Sequence, residues 1–163
     1  MPEKATEQEV LDRLGESGWF PERDIGTEAD YLIKIRVEDS IEQGFPLVPI
    51  EPAIRTIHNF GLLRINHPRT DGCALIFDPT ARYKGDAEQI NKLAQNLGFR
   101  LFPVGYEASE YGILLADESD RYFQLHHTGA YYMGENVMDM LSRFMGTIQE
   151  PDAEDFYIQE GND

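Results

Sequence analysis

Apolar side chains recur at the spacing of an α-helix in five parts of the chain. Residues on one helix face return every three or four positions, so such a stripe predicts a helix that packs one face against a core. The first stripe follows Thr6 and Glu9, which have the spacing of an N-terminal capping box. The predicted helices cover residues 6–17, 29–43, about 49–60, 86–97 and 135–145.

Two of these helices carry more specific predictions. The stripe in the second helix places four residues toward the core, namely Tyr31, Leu32, Ile35 and Ile41. An alternating pattern within the same segment also fits a strand. In the fourth helix, Asp86 is predicted to be the N-cap, because its carboxylate can accept a hydrogen bond from the first turn, and Gly98 marks the end.

Short apolar runs between turn residues predict strands in the remaining chain. The first two runs are separated by a polar turn that contains Pro68 and Gly72, which favours a hairpin. The last two runs are joined by residues 117–120, a connection short enough for adjacent antiparallel strands. The predicted strands are residues 62–66, 74–77, 100–104, 111–116 and 121–126.

Helices and strands are grouped along the chain rather than regularly alternated. This order favours an α+β fold, with a largely antiparallel sheet covered by helices. Residues 1–149 are expected to form this single domain. Residues 150–163 contain six acidic side chains and no Lys or Arg, which predicts a flexible, self-repelling tail whose removal leaves folding nearly unchanged.

The net charge of the chain narrows the range of partners. Thirty acidic residues against 14 basic ones give a formal charge of -16 and a pI near 4.5. Nucleic acids and anionic membranes would be repelled, so a basic protein partner is favoured over both, with simple solubility as the alternative explanation. No long apolar segment or secretory signal is apparent, and Cys73 is the single cysteine. A cytoplasmic protein is expected.

The common catalytic and cofactor motifs are missing. The sequence has neither a glycine-rich phosphate loop nor a G-x-S-x-G elbow. His126 and His127 are adjacent on a predicted strand, where neighbouring side chains point to opposite faces, so they are unsuited to one metal. The sequence therefore predicts no catalytic residue, no cofactor and no metal.

A series of short motifs resembles the SUKH superfamily of immunity proteins, which is related to the fungal Smi1/Knr4 regulators. The likeness is to the third bacterial clade and spans about residues 10–146. One motif departs from the family pattern: the helix end reads Phe60-Gly61-Leu62, with a single glycine in place of two. The motifs are Gly18-Trp19 with Pro21 and Arg23, Phe77-Asp78-Pro79, Leu97-Gly98 leading to residues 101–105, residues 112–117, Tyr122, Gly129 and Gly134.

This resemblance implies an α+β antidote that neutralises a cognate polymorphic toxin, often a nuclease or deaminase, by stoichiometric binding. It implies no catalytic residues. Of the shared residues, Trp19 is expected to lie in the core. Arg23 is expected to pair with a nearby carboxylate or backbone carbonyl. Three alternatives remain: an intracellular adaptor of the Smi1 kind, an acidic mimic of nucleic acid, and an enzyme with a cryptic carboxylate or histidine site.

The segment 106–111 is the predicted partner-binding site. It joins two apolar strands and combines tyrosine with negative charge, which suits the anchoring and steering of a toxin with a basic surface. The turn at 117–120 extends the patch if both loops lie at compatible edges of the sheet. The alternative is a polar loop whose tyrosines fold back onto the core. The predicted contact residues are Tyr106, Glu107, Glu110, Tyr111, Asp117, Glu118 and Asp120.

Overall fold

The protein is described by a computed structural model in which residues 2–158 are placed. Within them the chain forms five α-helices, six β-strands and a short 3-10 helix, Ala153–Phe156. The helices are α1 (Glu7–Glu16), α2 (Thr27–Glu42), α3 (Glu51–Phe60), α4 (Asp86–Leu97) and α5 (Val137–Met145). The strands are β1 (Arg64–Asn66), β2 (Ala74–Ile76), β3 (Leu101–Glu107), β4 (Ile113–Asp117), β5 (Tyr122–His126) and β6 (Gly129–Gly134).

The capping box predicted for α1 is present. The backbone N–H of Glu9 donates to Thr6 Oγ1 at 3.1 Å, and the backbone N–H of Thr6 donates to Glu9 Oε1 at 2.8 Å. Both bonds satisfy N–H groups that have no partner inside the helix. The four remaining helices also lie where the apolar stripes predict them.

The six strands form one sheet in the order of the sequence, and every neighbouring pair is antiparallel. The predicted α+β fold with an antiparallel sheet is therefore confirmed. The last strand, β6, is not among the strands predicted from the sequence. It pairs with β5 from Tyr122 opposite Gly134 to His126 opposite Gly129. Its three middle residues pair in register, but the glycines at both ends resemble turn residues.

Helices cover both faces of the sheet. α3 lies on the face of Tyr122, whose hydroxyl shares a hydrogen bond with Thr56. Successive residues of a strand point to opposite faces, so Phe123 lies on the other face, where it contacts Phe156 at 6.1 Å between ring centroids. α4 packs beside Leu125 on this second face. All five residues of β4 are consequently buried.

The inward face of α2 differs from the predicted one. Tyr31 and Ile41 are exposed, with 62% and 55% of their surface accessible, so that part of the prediction is wrong. The buried face instead carries Arg36, which no apolar pattern can indicate. Its guanidinium lies 2.7 Å from the buried carboxylate of Asp86 in α4, and this ion pair compensates the cost of burying both charges.

Asp86 has a different role from the predicted N-cap. Gly85 occupies the N-cap position, and Asp86 lies inside the first helical turn, fully buried. Its carboxylate accepts hydrogen bonds from Arg36, from Gln43 Nε2 at 3.1 Å and from the backbone N–H of Tyr83 at 3.2 Å. Asp86 therefore joins α2, α4 and the segment that precedes α4.

Trp19 and Arg23 lie as expected of structural residues. The Trp19 ring stacks on Phe60 with 5.7 Å between centroids and is partly buried against the core. The Arg23 guanidinium donates to the carbonyl oxygens of Asn59 at 3.1 Å and Gly61 at 2.9 Å. These contacts fix the segment after α1 to the C-terminal end of α3.

Residues 151–158 lie against the body of the protein. Phe156 stacks on Tyr132 with 4.1 Å between ring centroids, and Ala153 is completely buried. The backbone N–H of Tyr132 donates to Pro151 O at 2.8 Å, which covers part of the outer edge of β6. The flexibility predicted for residues 150–163 stays a prediction; its last five residues lie outside the described part of the chain.

Candidate functional site

The two predicted contact segments lie at opposite ends of the sheet. Tyr106 pairs with Ile113 at one end of β4, whereas Leu101 pairs with Asp117 at the other. The five residues of β4 separate these ends by about 13 Å at the usual rise of a strand. The structure therefore does not bring residues 106–111 and residues 117–120 into one patch.

Two of the predicted contact carboxylates are buried. Glu107 is 6% exposed and accepts hydrogen bonds from the backbone N–H groups of Ser109 at 2.9 Å and Glu110 at 3.1 Å. Burial raises the pKa of Glu107, but these bonds and those from the Ser109 hydroxyl and Ala74 outweigh it, so the pKa is lowered. Asp117, fully buried, accepts comparable bonds within its own turn. Neither carboxylate offers its charge to a partner.

The remaining carboxylates of the second turn already have cationic neighbours. Glu118 forms an ion pair with Arg100 at 2.8 Å, and the hydrogen bonds from Arg100 lower the pKa of Glu118. Asp120 forms one with Arg55 at 2.7 Å. These pairs balance the charges at that end of the sheet, so the turn is a poor source of electrostatic attraction.

Glu110 is the predicted carboxylate that best keeps its charge available. Its side chain is 65% exposed, and its Oε1 atom lies 2.9 Å from His126 Nε2, without the alignment of a hydrogen bond. The backbone N–H of Thr128 donates to His126 Nδ1 at 3.2 Å, which leaves Nε2 facing Glu110. Glu110 therefore lies between the β3–β4 and β5–β6 turns, at the surface.

The two predicted tyrosines form one wall of a surface cleft. The rings of Tyr106 and Tyr111 are nearly parallel, with 6.2 Å between their centroids. Tyr83, from the segment before α4, lines the cleft with them, and Ile113 contributes apolar surface. The cleft has a volume of about 380 Å³ and is also lined by Ala81 and Arg82. We call this group of six residues the tyrosine cleft.

Tyr111 combines high exposure with an uncommon backbone conformation. Its side chain is 72% exposed, so this ring does not fold back onto the core. Its φ of 61° lies in the left-handed region, which a residue other than glycine adopts at a cost of about 1 kcal/mol or more. The tight turn between β3 and β4, in which the backbone N–H of Tyr111 donates to Glu107 O at 2.8 Å, places Tyr111 in this conformation.

A buried polar network holds Tyr83 and Arg82 in place. Asp86 accepts the backbone N–H of Tyr83, and Asp39 in α2 lies 2.9 Å from Arg82 Nε. Arg36 connects the two carboxylates, because its Nη1 atom is 3.2 Å from Asp39 and 3.3 Å from Asp86. The opposite wall of the tyrosine cleft is thus fixed to α2 and α4 rather than left on a mobile loop.

Tyr83 and Arg82 are not among the candidate site residues predicted from the sequence. They are more than 20 positions from Tyr106 in sequence, and only the packing of α4 on the sheet brings them beside it. One local signal was available: Arg82-Tyr83-Lys84 is a basic and aromatic triplet in the connection ahead of a helix. Tyrosine and arginine are enriched in protein interfaces, so this triplet was a candidate on composition alone.

Potential metal ligands are scattered over residues 2–158, and the single thiol is a weak acid. Among residues 2–158, no group of three or more His, Cys, Asp or Glu is arranged to hold a metal ion. Burial and the nearby Glu107 raise the pKa of the Cys73 thiol to about 11, which keeps it protonated at neutral pH. In the same part of the chain, no helix has both the length and the apolar character needed to span a bilayer.

The chain is an α+β domain with an antiparallel sheet and a surface cleft lined by three tyrosines. Comparison with known families identifies the family of this domain. The family model described as SUKH-3 immunity protein matches residues 6–146, and the chain belongs to this family. No curated protein and no solved structure shows significant similarity to the chain.

Proposed function

We propose that this protein is the antidote of a toxin and immunity pair, and that it neutralises a cognate polymorphic toxin in the cytoplasm by stoichiometric binding. Membership of the SUKH-3 immunity family supports the immunity role. The proposed mechanism needs no cofactor and no catalytic residue of the antidote. A toxin with nuclease or deaminase activity fits the resemblance noted in the sequence.

The observation that carries the binding proposal is the tyrosine cleft, and Tyr111 in particular. An exposed aromatic ring held at positive φ lowers the stability of the free protein without filling its core. Tyrosine is a rigid anchor that buries much area at a small entropic cost. We therefore assign Tyr106 and Tyr111 as anchors for the toxin.

The charge distribution reduces the set of contact residues that was predicted from the sequence. Glu110 retains an exposed charge at the same end of the sheet and is the carboxylate best placed to steer a basic toxin. Glu107 and Asp117 act within their own turns, and Glu118 and Asp120 have arginine partners, so we assign them structural roles. The net charge of -16 supports attraction to a basic surface at long range.

The test first searches the neighbouring open reading frames for a toxin gene, and then measures binding of its product to two variants substituted at one position. Tyr111→Ala removes the aromatic ring but keeps the backbone strain of a positive φ. Tyr111→Gly removes both the ring and the strain, because glycine adopts positive φ freely. Each is expected to weaken binding by about 2 kcal/mol, roughly thirtyfold in Kd, while Tyr111→Gly melts at or above the parent temperature. Calorimetric titration gives Kd and stoichiometry, and a toxin activity assay reports neutralisation.

Tyr31→Ala is the matched control, because Tyr31 is an exposed tyrosine on α2, outside the cleft. It should leave Kd unchanged. Full toxin binding by both Tyr111 variants would place the interface elsewhere on the protein. A parent protein that neither binds nor inhibits the toxin would reject the antidote role and favour the adaptor alternative.

A further inference from the structure

Basic side chains flank the tyrosine cleft in an otherwise acidic protein. Two neighbouring clefts share Tyr83 with it: one is lined by Lys84 and lies beside α2, and the other is lined by Lys92 and His127 and lies beside the β5–β6 turn. Neither lysine forms an ion pair with any residue in the range 2–158. We call the three adjoining clefts the Tyr83 strip.

Carboxylates are nearly excluded from the Tyr83 strip. Of the 30 acidic residues in the chain, Asp39 alone lines it among the described residues. Arg36 and Arg82 already balance Asp39, with N to O distances of 3.2 Å and 2.9 Å. Lys84 and Lys92 are therefore the charges of the strip that no carboxylate of its lining balances, and they are opposite in sign to the molecule as a whole.

We infer that the Tyr83 strip receives a segment of the toxin in which an apolar side chain is accompanied by an acidic one. This inference rests on the proposed function and specifies the partner chemistry at its site. The tyrosine cleft supplies the apolar surface. Lys84 and Lys92, which have no ion-pair partner among residues 2–158, supply the countercharge for the carboxylate.

Local and long-range charge have separate effects in this arrangement. The net charge of the protein acts over the Debye length, about 8 to 10 Å, and draws in a basic toxin. The lysines of the strip act only on groups in contact with them, and they stabilise one orientation of the bound toxin. A partner that presents a basic side chain to the strip meets like charge, so the strip also rejects wrong docking registers.

Charge reversal distinguishes this inference from attraction by net charge alone. Lys84→Glu, Lys92→Glu and a control, Lys34→Glu, each make the protein more acidic by two charges. Lys34 is exposed on α2 and forms no ion pair with another described residue. Net charge alone predicts that all three variants bind a basic toxin faster and at least as tightly. The inference predicts that the two strip variants lose about tenfold in affinity relative to the control. Strip variants that bind as tightly as Lys34→Glu would overturn it.

A second experiment needs no toxin. The ¹⁵N-labelled protein is titrated with the blocked tripeptides Glu-Leu-Glu and Lys-Leu-Lys while amide chemical shifts are followed. The acidic peptide should shift the amides of residues 82–84, 92 and 111–113, and Lys84→Glu and Lys92→Glu should reduce the shifts. A response to the basic peptide alone, or to neither peptide, would contradict the inference. Amide shifts that are stronger with a single-stranded oligothymidylate than with the acidic peptide would also contradict the inference. They would show that the strip binds nucleic acid.

The two experiments separate the inference from the proposed function. Tripeptide binding at the strip without any binding of the toxin would keep the inference about chemistry and reject the antidote role. Toxin binding that survives both lysine reversals, without a tripeptide response, would keep the antidote role and reject the inference.

Discussion

Polar side chains at the ends of strands close the turns that follow them. Glu107 ends β3, Asp117 ends β4 and His126 ends β5, and each accepts hydrogen bonds from backbone N–H groups within the next four residues. These bonds satisfy groups that otherwise lack a partner in the ladder. The role of a carboxylate in a turn therefore depends on the hydrogen bonds that it accepts. An acidic residue in a turn is not by itself a charge that is available at the surface.

His58 links two carboxylates and gives the first prediction. Its Nδ1 atom lies 2.7 Å from Asp24 and its Nε2 atom 2.9 Å from Asp30. Burial lowers the pKa of His58, but the hydrogen bonds with the two carboxylates outweigh it, and the pKa is raised. The hydrogen bond from His58 lowers the pKa of Asp24.

The signs define a pH window. A raised histidine pKa contributes stability that is complete below the unfolded value, about 6.5, and is lost as pH rises through the folded value. The lowered pKa of Asp24 contributes above about 3.9 and is lost as pH falls through its folded value. The bridge is therefore most stabilising between about pH 4 and pH 6.5.

His58→Gln measures the contribution of this bridge. Chemical denaturation should show the largest loss of unfolding free energy, relative to the parent, near pH 5.5, and a smaller loss near pH 8.5. The effect should be modest, because solvent screens the two exposed aspartates. An equal loss at both pH values would show that the bridge adds no stability linked to protonation.

At the scale of helices and strands, periodicity predicts which segments form elements better than it predicts their faces. All five helices and the first hairpin follow from local patterns and turn residues. The inward face of α2 does not follow from a local pattern. Arg36 can be buried there because it pairs with Asp86, which lies 50 positions away in sequence. The candidate site divides in the same way: Tyr106 and Tyr111 are local features, whereas Tyr83 reaches them through the packing of α4.

The C-terminal segment gives the second prediction. Its contacts with Tyr132 and Phe123 lead us to expect that removal of residues 150–163 destabilises the domain, contrary to the expectation from composition. Loss of the packing of Phe156 alone should cost about 2 kcal/mol and lower the melting temperature by about 5 °C.

Phe156→Ala isolates this packing from the rest of the segment. Thermal melting should show most of the effect of the full truncation in Phe156→Ala, and almost none in Glu154→Ala, where the replaced side chain is exposed. Parent-like melting of both the truncated protein and Phe156→Ala would support a tail that contributes nothing to folding.

For the molecule as a whole, the excess of acidic residues has to be accommodated. Most of the arginines form ion pairs with carboxylates of the scaffold, such as Asp86, Asp117 and Asp120, or donate hydrogen bonds to backbone carbonyls. Many of the remaining carboxylates lie exposed on α1 and α2, and others lie exposed on α3, α4 and the connections, among them Glu51, Glu88 and Glu135. Their mutual repulsion opposes the compact state, since the charges are closer together when the chain is folded.

Salt should relieve this repulsion. Raising the NaCl concentration from about 0.01 M to about 1 M shortens the Debye length from about 30 Å to about 3 Å, so the melting temperature at pH 7.5 should rise by several degrees. At a pH near 4.5, where the net charge approaches zero, the same change in salt should have little effect. A melting temperature that falls with salt at pH 7.5 would mean that the ion pairs outweigh the net repulsion.

The contact between the ends of the domain affects the order of folding during translation. The backbone N–H of Ala5 donates to Ser142 O at 2.9 Å, and α1 packs on α5, with a sequence separation of 137 residues between the bonded groups. α1 leaves the ribosome first of the five helices, and its packing, which involves both β1 and α5, is complete only when α5 has emerged. The packing of the two ends of the domain is therefore completed only after nearly all of the domain has been synthesised, so a shorter nascent chain lacks the complete fold.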